Sequence, residues 1–487
     1  MWPRRRPEGL WQVLWAVAAS LSSGHVYAQA PSTPEKPWPI PPSELRRIDE
    51  YPDRRGLAQN KRYALAELID LAERNNPQTR GAWEAARGAA AAEGLVESSY
   101  LPQLSFQALG GLEHTPLPAP KNLVPEGFFV SNAREFIPSV ALKWLLFDFG
   151  QRNAQLDAAK ANSFVANVAF TGAHQTLIYQ VSQAYFDLGA ARGRLRAAQT
   201  ALKTALTTQD ATTAKRNNGL ATVVSVAQAE RQTAQARYGV TAAEGAERNG
   251  YANLIASIGV PADSRIDVLD SDELPLPSQP IQNVSAAIRD ALAHRPDVVA
   301  AIGQVDAAQA SLQAEHRSYY PVIDVSAHAF QNMGWVSSDG KPYSSVNRPG
   351  GNILFSFSVP IFDGGLRSSR VSVARSKVRQ AEEKLDQTRD TASQQVVKAY
   401  NGLITSLAEY EASTQLSRAA HTAYDAALNS YRQGVGTYTD VSTEENALVQ
   451  ADTQVEDARA SAHTAAAALA FAMGANTELP ESSAPLP

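Results

Sequence analysis

The chain of 487 residues contains no cysteine. Disulfides, cysteine nucleophiles, thiolate metal sites and a lipid-modified N-terminal cysteine are therefore excluded. Histidine is scarce, and His114, His174, His294, His316, His328, His421 and His463 form no pair at metal-ligand spacing. No metal or cofactor is expected. Positive charge is not in excess: 44 Lys and Arg stand against 49 Asp and Glu, with pI near 6.0, so no basic field draws the chain to nucleic acid. No Walker loop, Gly-x-Ser-x-Gly elbow or dinucleotide fingerprint occurs. Runs of about 18 apolar residues are missing, which excludes a transmembrane helix. Proline is missing from two long stretches, 139–260 and 361–479, although the chain holds 28.

The N-terminus carries an address. Arg4, Arg5 and Arg6 precede the apolar run Leu10 to Leu21, and Val26-Tyr27-Ala28 places small residues where a signal peptidase reads. Cleavage is expected after Ala28, with Ala30 the other candidate. Losing residues 1–28 takes the formal charge from −5 to −7. An exported chain without an apolar helix meets a membrane as strands or at its surface.

The same unit occurs twice. Asn76-Pro77 and Leu101-Pro102 return as Arg295-Pro296 and Tyr320-Pro321, 219 residues later. Phe147-Asp148-Phe149-Gly150 returns as Phe362-Asp363-Gly364-Gly365 at 215, as do Gly219 and Thr222 in Gly434 and Thr437. One change of offset with fixed register on either side is the mark of duplication with a loop indel. The expected organisation is a signal peptide (1–28), a Pro-rich linker (29–62), a first repeat (63–260), an inter-repeat linker (261–283), a second repeat (284–475) and a tail (476–487).

The proline-free stretches are rich in helix formers. Leu188, Ala191, Leu195, Ala198, Leu202 and Ala205 step by three and four, as do Val396, Tyr400, Leu403, Leu407 and Tyr410, which is a coiled-coil seam. The breaks at Asn217-Asn218-Gly219 and Gly434-Val435-Gly436 make each stretch a hairpin. Its first arm spans on the order of 100 Å and its return arm about 60 Å. Shorter helices, near Leu65 to Ser99 and Val284 to Ser318, stack on the return arms to make up the difference. Four segments of roughly ten residues alternate apolar and polar, around Leu104, Val140, Val325 and Phe355. Long loops are expected between them, at 113–136 and 332–351. Such strands form either a small soluble sheet or part of a membrane barrel. Four cannot close a barrel, so a barrel requires several chains, and twelve strands from three chains is a natural closure. Lys143, Asp324, Ser326, Ser356 and Ser358 would then line its lumen. Trp144, Phe147, Phe149 and Phe362 either anchor at the membrane interface or pack on the first helical turn.

Taken together, the leader, the duplication, the Phe-Asp-x-Gly corners and the Gly-x-x-Thr helix turns resemble the TolC-type outer-membrane efflux proteins, from about Tyr63 to Gly474. The resemblance implies a mainly α chain with membrane β: long antiparallel helical hairpins forming an α-barrel, and four strands contributing to a 12-stranded trimeric β-barrel. It implies a homotrimer in outer-membrane lipid extending into the periplasm. Substrate would arrive from an inner-membrane RND, ABC or MFS transporter through a periplasmic adaptor, in multidrug efflux or type I secretion, with no enzymatic activity.

The resemblance also implies an entrance at the turns of the second hairpin, closed by ion pairs and aspartate rings. Asp440 lies there, and three such carboxylates around an axis repel, raise one another's pKa and favour cations; an aspartate after a glycine turn equally serves as a helix cap. Gly436 stands where a gate arginine is found in the family and Thr443 where a second aspartate is, and Ser225 replaces the acid in the first copy. Glu444 and Glu445 are expected to keep the tip acidic, with Tyr431 and Arg432 as candidate latch residues. A non-pore coiled-coil adhesin and a periplasmic adaptor are the alternatives. The duplication and the strands argue against both.

Overall fold

The computed structural model describes residues 61–122, 124–277, 283–338 and 341–475. The expected signal peptide, nearly all of the Pro-rich linker and the tail 476–487 lie outside the described residues. Strand β1 (Arg62–Tyr63) leads into α1 (Leu65–Asn75) and α2 (Pro77–Glu97). Strands β2 (Gln103–Pro118) and β3 (Phe128–Phe147) follow, then α3 (Gln151–Asn217), α4 (Val223–Ile258) and β4 (Asp267–Val268). The order then recurs as α5 (Val284–His294), α6 (Pro296–Arg317), β5 (Val322–Ser338), β6 (Ser344–Ser358), α7 (Leu366–Gln433) and α8 (Tyr438–Met473).

Helices α3 and α7 run unbroken for 67 and 68 residues, about 100 Å each. Their partners are composite. Helices α2 and α6 each begin at a proline, where the missing N–H would have had no partner. Helices α4 and α8 end at Gly259 and Gly474, both left-handed. A Cβ on Gly259 would stand 2.9 Å from the Asn76 Cα, and one on Gly474 3.2 Å from the Arg295 Cα. The end of α4 therefore abuts the start of α2, and α8 abuts α6. Asn76 Nδ2 donates to the Ser257 carbonyl (2.9 Å) and Arg295 Nη1 to that of Ala472 (3.0 Å). Leu68, Leu177, Val181, Leu188, Leu254 and Ile258 are buried around the first joint, each contributing about 1.5–3 kcal/mol. Among the described residues, no helix is long and apolar enough to cross a membrane.

The described part of the segment between the repeats, 261–277, is built into the fold. Strand β4 pairs in parallel with β1. Arg196 of α3 reaches Asp270 and Asp272 beyond it, and Glu456 of α8 at 3.5 Å. The segment thus straps the two repeats together.

Strands β2, β3, β5 and β6 form one antiparallel sheet in that order. They contain 16, 20, 17 and 15 residues, well beyond the ten expected. The loops expected at 113–136 and 332–351 are correspondingly short, because both strands of each hairpin run on into them, β2 through Pro116 and Pro118 and β6 through Pro349. The first two prolines lie on β2, whose other side is unpaired in the sheet, where a missing donor is tolerated.

Strand joins helix at the Phe-Asp-x-Gly corners. Asp148 accepts from the amides of Gly150 (3.1 Å) and Arg152 (2.9 Å), and Asp363 from those of Gly365 (3.0 Å) and Arg367 (3.2 Å). Each aspartate satisfies amides that open the helix and pairs with the arginine one turn on. The first corner is the tighter. Arg152 is buried and also donates to the carbonyls of Ser99, Leu145 and Leu146.

Candidate functional site

Two regions hold the residues singled out from sequence: the sheet and the helix turns. In the sheet, cross-strand partners share a face. Lys143 is opposite Gln103 and Ser326, Asp324 is opposite Leu145 and Ser356, and Ser358 is opposite Val322. All five polar residues lie on one face. The other face carries Leu104–Leu142–Ala327–Ile353 and, one step along, Trp144–Val325–Phe355. Its large side chains are open, with Phe106 72% and Phe355 75% exposed. Among the described residues, nothing covers this apolar face and the edges β2 and β6 each pair on one side only, and such a sheet is incomplete in water. Trp144 donates to the Tyr100 carbonyl (2.9 Å), and Phe149 packs edge-on against Phe147 and stacks on Tyr320.

The two helix turns are built alike. Thr222 caps α4, accepting from the Ser225 amide at 3.1 Å. Thr437 caps α8, accepting from the Asp440 amide at 3.3 Å, while the Asp440 carboxylate accepts the Thr437 amide at 2.9 Å. This is a reciprocal capping box. Thr437, not Asp440, is the cap, and Asp440 is the third residue of the helix. Asp440 remains exposed, and its bonds from Thr437 hold its carboxyl below the usual range. Gly219 and Gly434 turn the chain in the left-handed conformation. Leu220, Val223, Val224 and Val435 leave the tips apolar and exposed.

Glu445 departs from the expected acidic tip: it is 1% exposed. It lies on the stripe Tyr438, Val441, Glu445, Leu448 and Ala451, all buried, while Glu444 is half-buried beside it and Arg432 is exposed. Tyr431 is buried. Its hydroxyl donates to Thr212 Oγ1 on α3 (3.3 Å), and Lys215 Nζ lies 4.2 Å from its ring centre. One turn away the Tyr424 and Thr208 hydroxyls share a hydrogen bond at 3.2 Å. Thr208, Thr212 and Tyr424 were not among the residues drawn from sequence, although Tyr424, Leu428 and Tyr431 step by four and three. Among the described residues, no group of His, Asp and Glu is arranged to hold a metal ion.

The arrangement matches known channels. The family model for the outer membrane efflux protein matches residues 68–260 and 287–475. Protein CyaE of Bordetella pertussis is 28% identical over 445 residues, covering 89% of this chain and 88% of that protein. Outer membrane protein TolC of Escherichia coli is 25% identical, covering 67% of each. Crystal structures of CusC and of the outer-membrane channel OprN superpose with TM-scores of 0.72 and 0.73 at 20% identity. They cover 86% and 84% of this chain, and 95% and 90% of those chains. The chain therefore belongs to the outer membrane efflux protein family and is an outer-membrane protein with the TolC-type fold.

Proposed function

We propose that three copies assemble into a conduit. The edge strand β6 of one copy pairs with β2 of the next, closing a 12-stranded barrel with its bare apolar face in lipid and Lys143, Asp324, Ser326, Ser356 and Ser358 in the lumen. The long hairpins continue the barrel as a tunnel across the periplasm, with an entrance at the turns that carry Asp440. An inner-membrane transporter of the RND, ABC or MFS type delivers substrate through a periplasmic adaptor seated on the hairpins. The process is multidrug efflux or type I secretion, and the chain performs no catalysis of its own.

The observation that carries this reading is the sheet: among the described residues it has two open edges, one apolar face without a cover and an opposite face that gathers the five polar residues. The test is the native mass of protein extracted by detergent from the outer-membrane fraction, followed by conductance in planar bilayers. A trimer of about 150 kDa that conducts supports the conduit. A chain that is monomeric and soluble without detergent refutes it.

A further inference from the structure

A carboxylic acid is enclosed where the two hairpins meet. Glu445 on α8 is packed against α3 and α7, with Thr208, Tyr424 and Tyr438 around it. Among the described residues, its Oε2 has no hydrogen-bond partner. Charged groups around the seam include Lys215 of α3, Arg231 of α4, Asp425 and Arg432 of α7, and Glu444 on its own helix. Among the described residues, none of these cations forms an ion pair with it. Glu445 itself helps to line a pocket of about 250 Å³ between α3, α4 and α8, with Ala198, Gln232, Asn446 and Val449, which opens to solvent past the exposed Tyr238. A bare carboxylate in such a place is costly, yet a short step from polar side chains and room for water.

We infer that Glu445 is a proton-operated latch between the hairpins. As the neutral acid it seals α8 against α3 and α7 just above the turns; as the carboxylate it draws water into the cavity and loosens that seam. Only the last step, from a loose seam to an open entrance, rests on the conduit reading.

Burial pushes the Glu445 carboxyl up to about 7, and the Thr208 hydroxyl opposes this only in part. With the seam parted, the group returns to the ordinary 4.5. The closed seam therefore holds the proton more tightly. Its advantage is complete below about 4.5, is lost as pH rises and is gone above about 7, a change on the order of 100-fold in the opening equilibrium. Acid closes the latch and neutral pH releases it.

The test is amide hydrogen exchange on the full-length protein in detergent, over residues 203–215 and 438–450, at pH 5.5 and 7.5, corrected for intrinsic exchange. Opening at least tenfold more frequent at pH 7.5 is expected, with the difference abolished in Glu445→Gln. Thr208→Val removes a group that favours the carboxylate and moves the transition to higher pH, a direction that loss of packing alone does not produce. A Glu445→Gln protein that keeps the tenfold change, or a Thr208→Val protein whose transition stays in place, overturns the latch. In planar bilayers, conductance that rises with periplasmic-side pH is expected to become flat in Glu445→Gln. A protein that conducts nothing refutes the conduit, while the exchange data still decide the latch.

Discussion

Replacing Gly259 by alanine tests the composite arm. Gly259 has φ of +80°, and a side chain in that conformation costs about 1–2 kcal/mol. Its Cβ would also lie 2.9 Å from the Asn76 Cα and 3.3 Å from the Asn75 carbonyl oxygen. Both are backbone atoms that cannot rotate aside, so overpacking adds about 1–3 kcal/mol. Gly219 supplies the control, because it has φ of +70° with nothing within 4 Å of the added Cβ. Gly219→Ala carries the conformational cost alone, and the difference between the variants isolates the contact between α4 and α2. Heat unfolding of the detergent-solubilised protein, followed by helical circular dichroism at one scan rate, is expected to place Gly259→Ala a few degrees below Gly219→Ala. Equal midpoints would refute the end-to-end contact, and α2 would then be an independent helix lying on α3.

At the strand–helix corners, Arg152→Leu strands the buried Asp148 carboxylate and three carbonyls, an expected loss of about 3–5 kcal/mol. Arg367→Leu, with both partners partly exposed at 21% and 24%, is expected to lose about 1 kcal/mol; urea titrations of the two proteins compare them. Phe355→Lys places a charge on the bare apolar face at a cost of about 2–4 kcal/mol and is expected to deplete the chain from the outer-membrane fraction. Ser356→Lys, on the opposite face, is expected to insert normally and alter ion selectivity. The Asp440 carboxylate contributes to the cap of α8 above its ordinary value of about 3.8. That contribution is lost as pH falls through its lowered value, so exchange at residues 437–441 is expected to rise at pH 3 in the native chain and to show no such step in Asp440→Asn.

Much of the fold was legible because repetition and periodicity are local. Gly259 and Gly474 mark the ends of the return arms, and the alternation around Val325 and Phe355 gives each strand two faces; the breaks before Pro77 and Pro296, which split each of the expected shorter helices in two, were not drawn from the sequence, although proline at a first helical position is a start signal. Strand length was not legible. Pro116, Pro118 and Pro349 read as loop residues because a strand interior uses the amide that proline lacks, and only sheet order shows which strand sides have no neighbour. The capping role of Thr437 was half visible, since Thr-x-x-Asp before a helix is a capping pattern, but a glycine turn drew attention to the acid instead. Glu445 was misread for a different reason. Its charge suggested the surface, whereas its position three residues before Leu448 and four after Val441 places it on the buried stripe. Spacing decided the outcome over residue type, and the partners Thr208 and Tyr424 lie 237 and 21 residues away, beyond any local pattern.

The joints at Asn76–Gly259 and Arg295–Gly474 give the hairpins an uneven mechanical character. Helices α3 and α7 are covalent rods that carry tension, compression and torque alike. Their partner arms are interrupted by butt joints, where Asn76 and Arg295 each donate a side-chain hydrogen bond to a carbonyl of the abutting helix. A butt joint carries compression but yields to twist. The two arms of each hairpin thus differ in kind: one is a continuous rail, and the other is a jointed one whose two pieces meet through side chains rather than through a shared backbone.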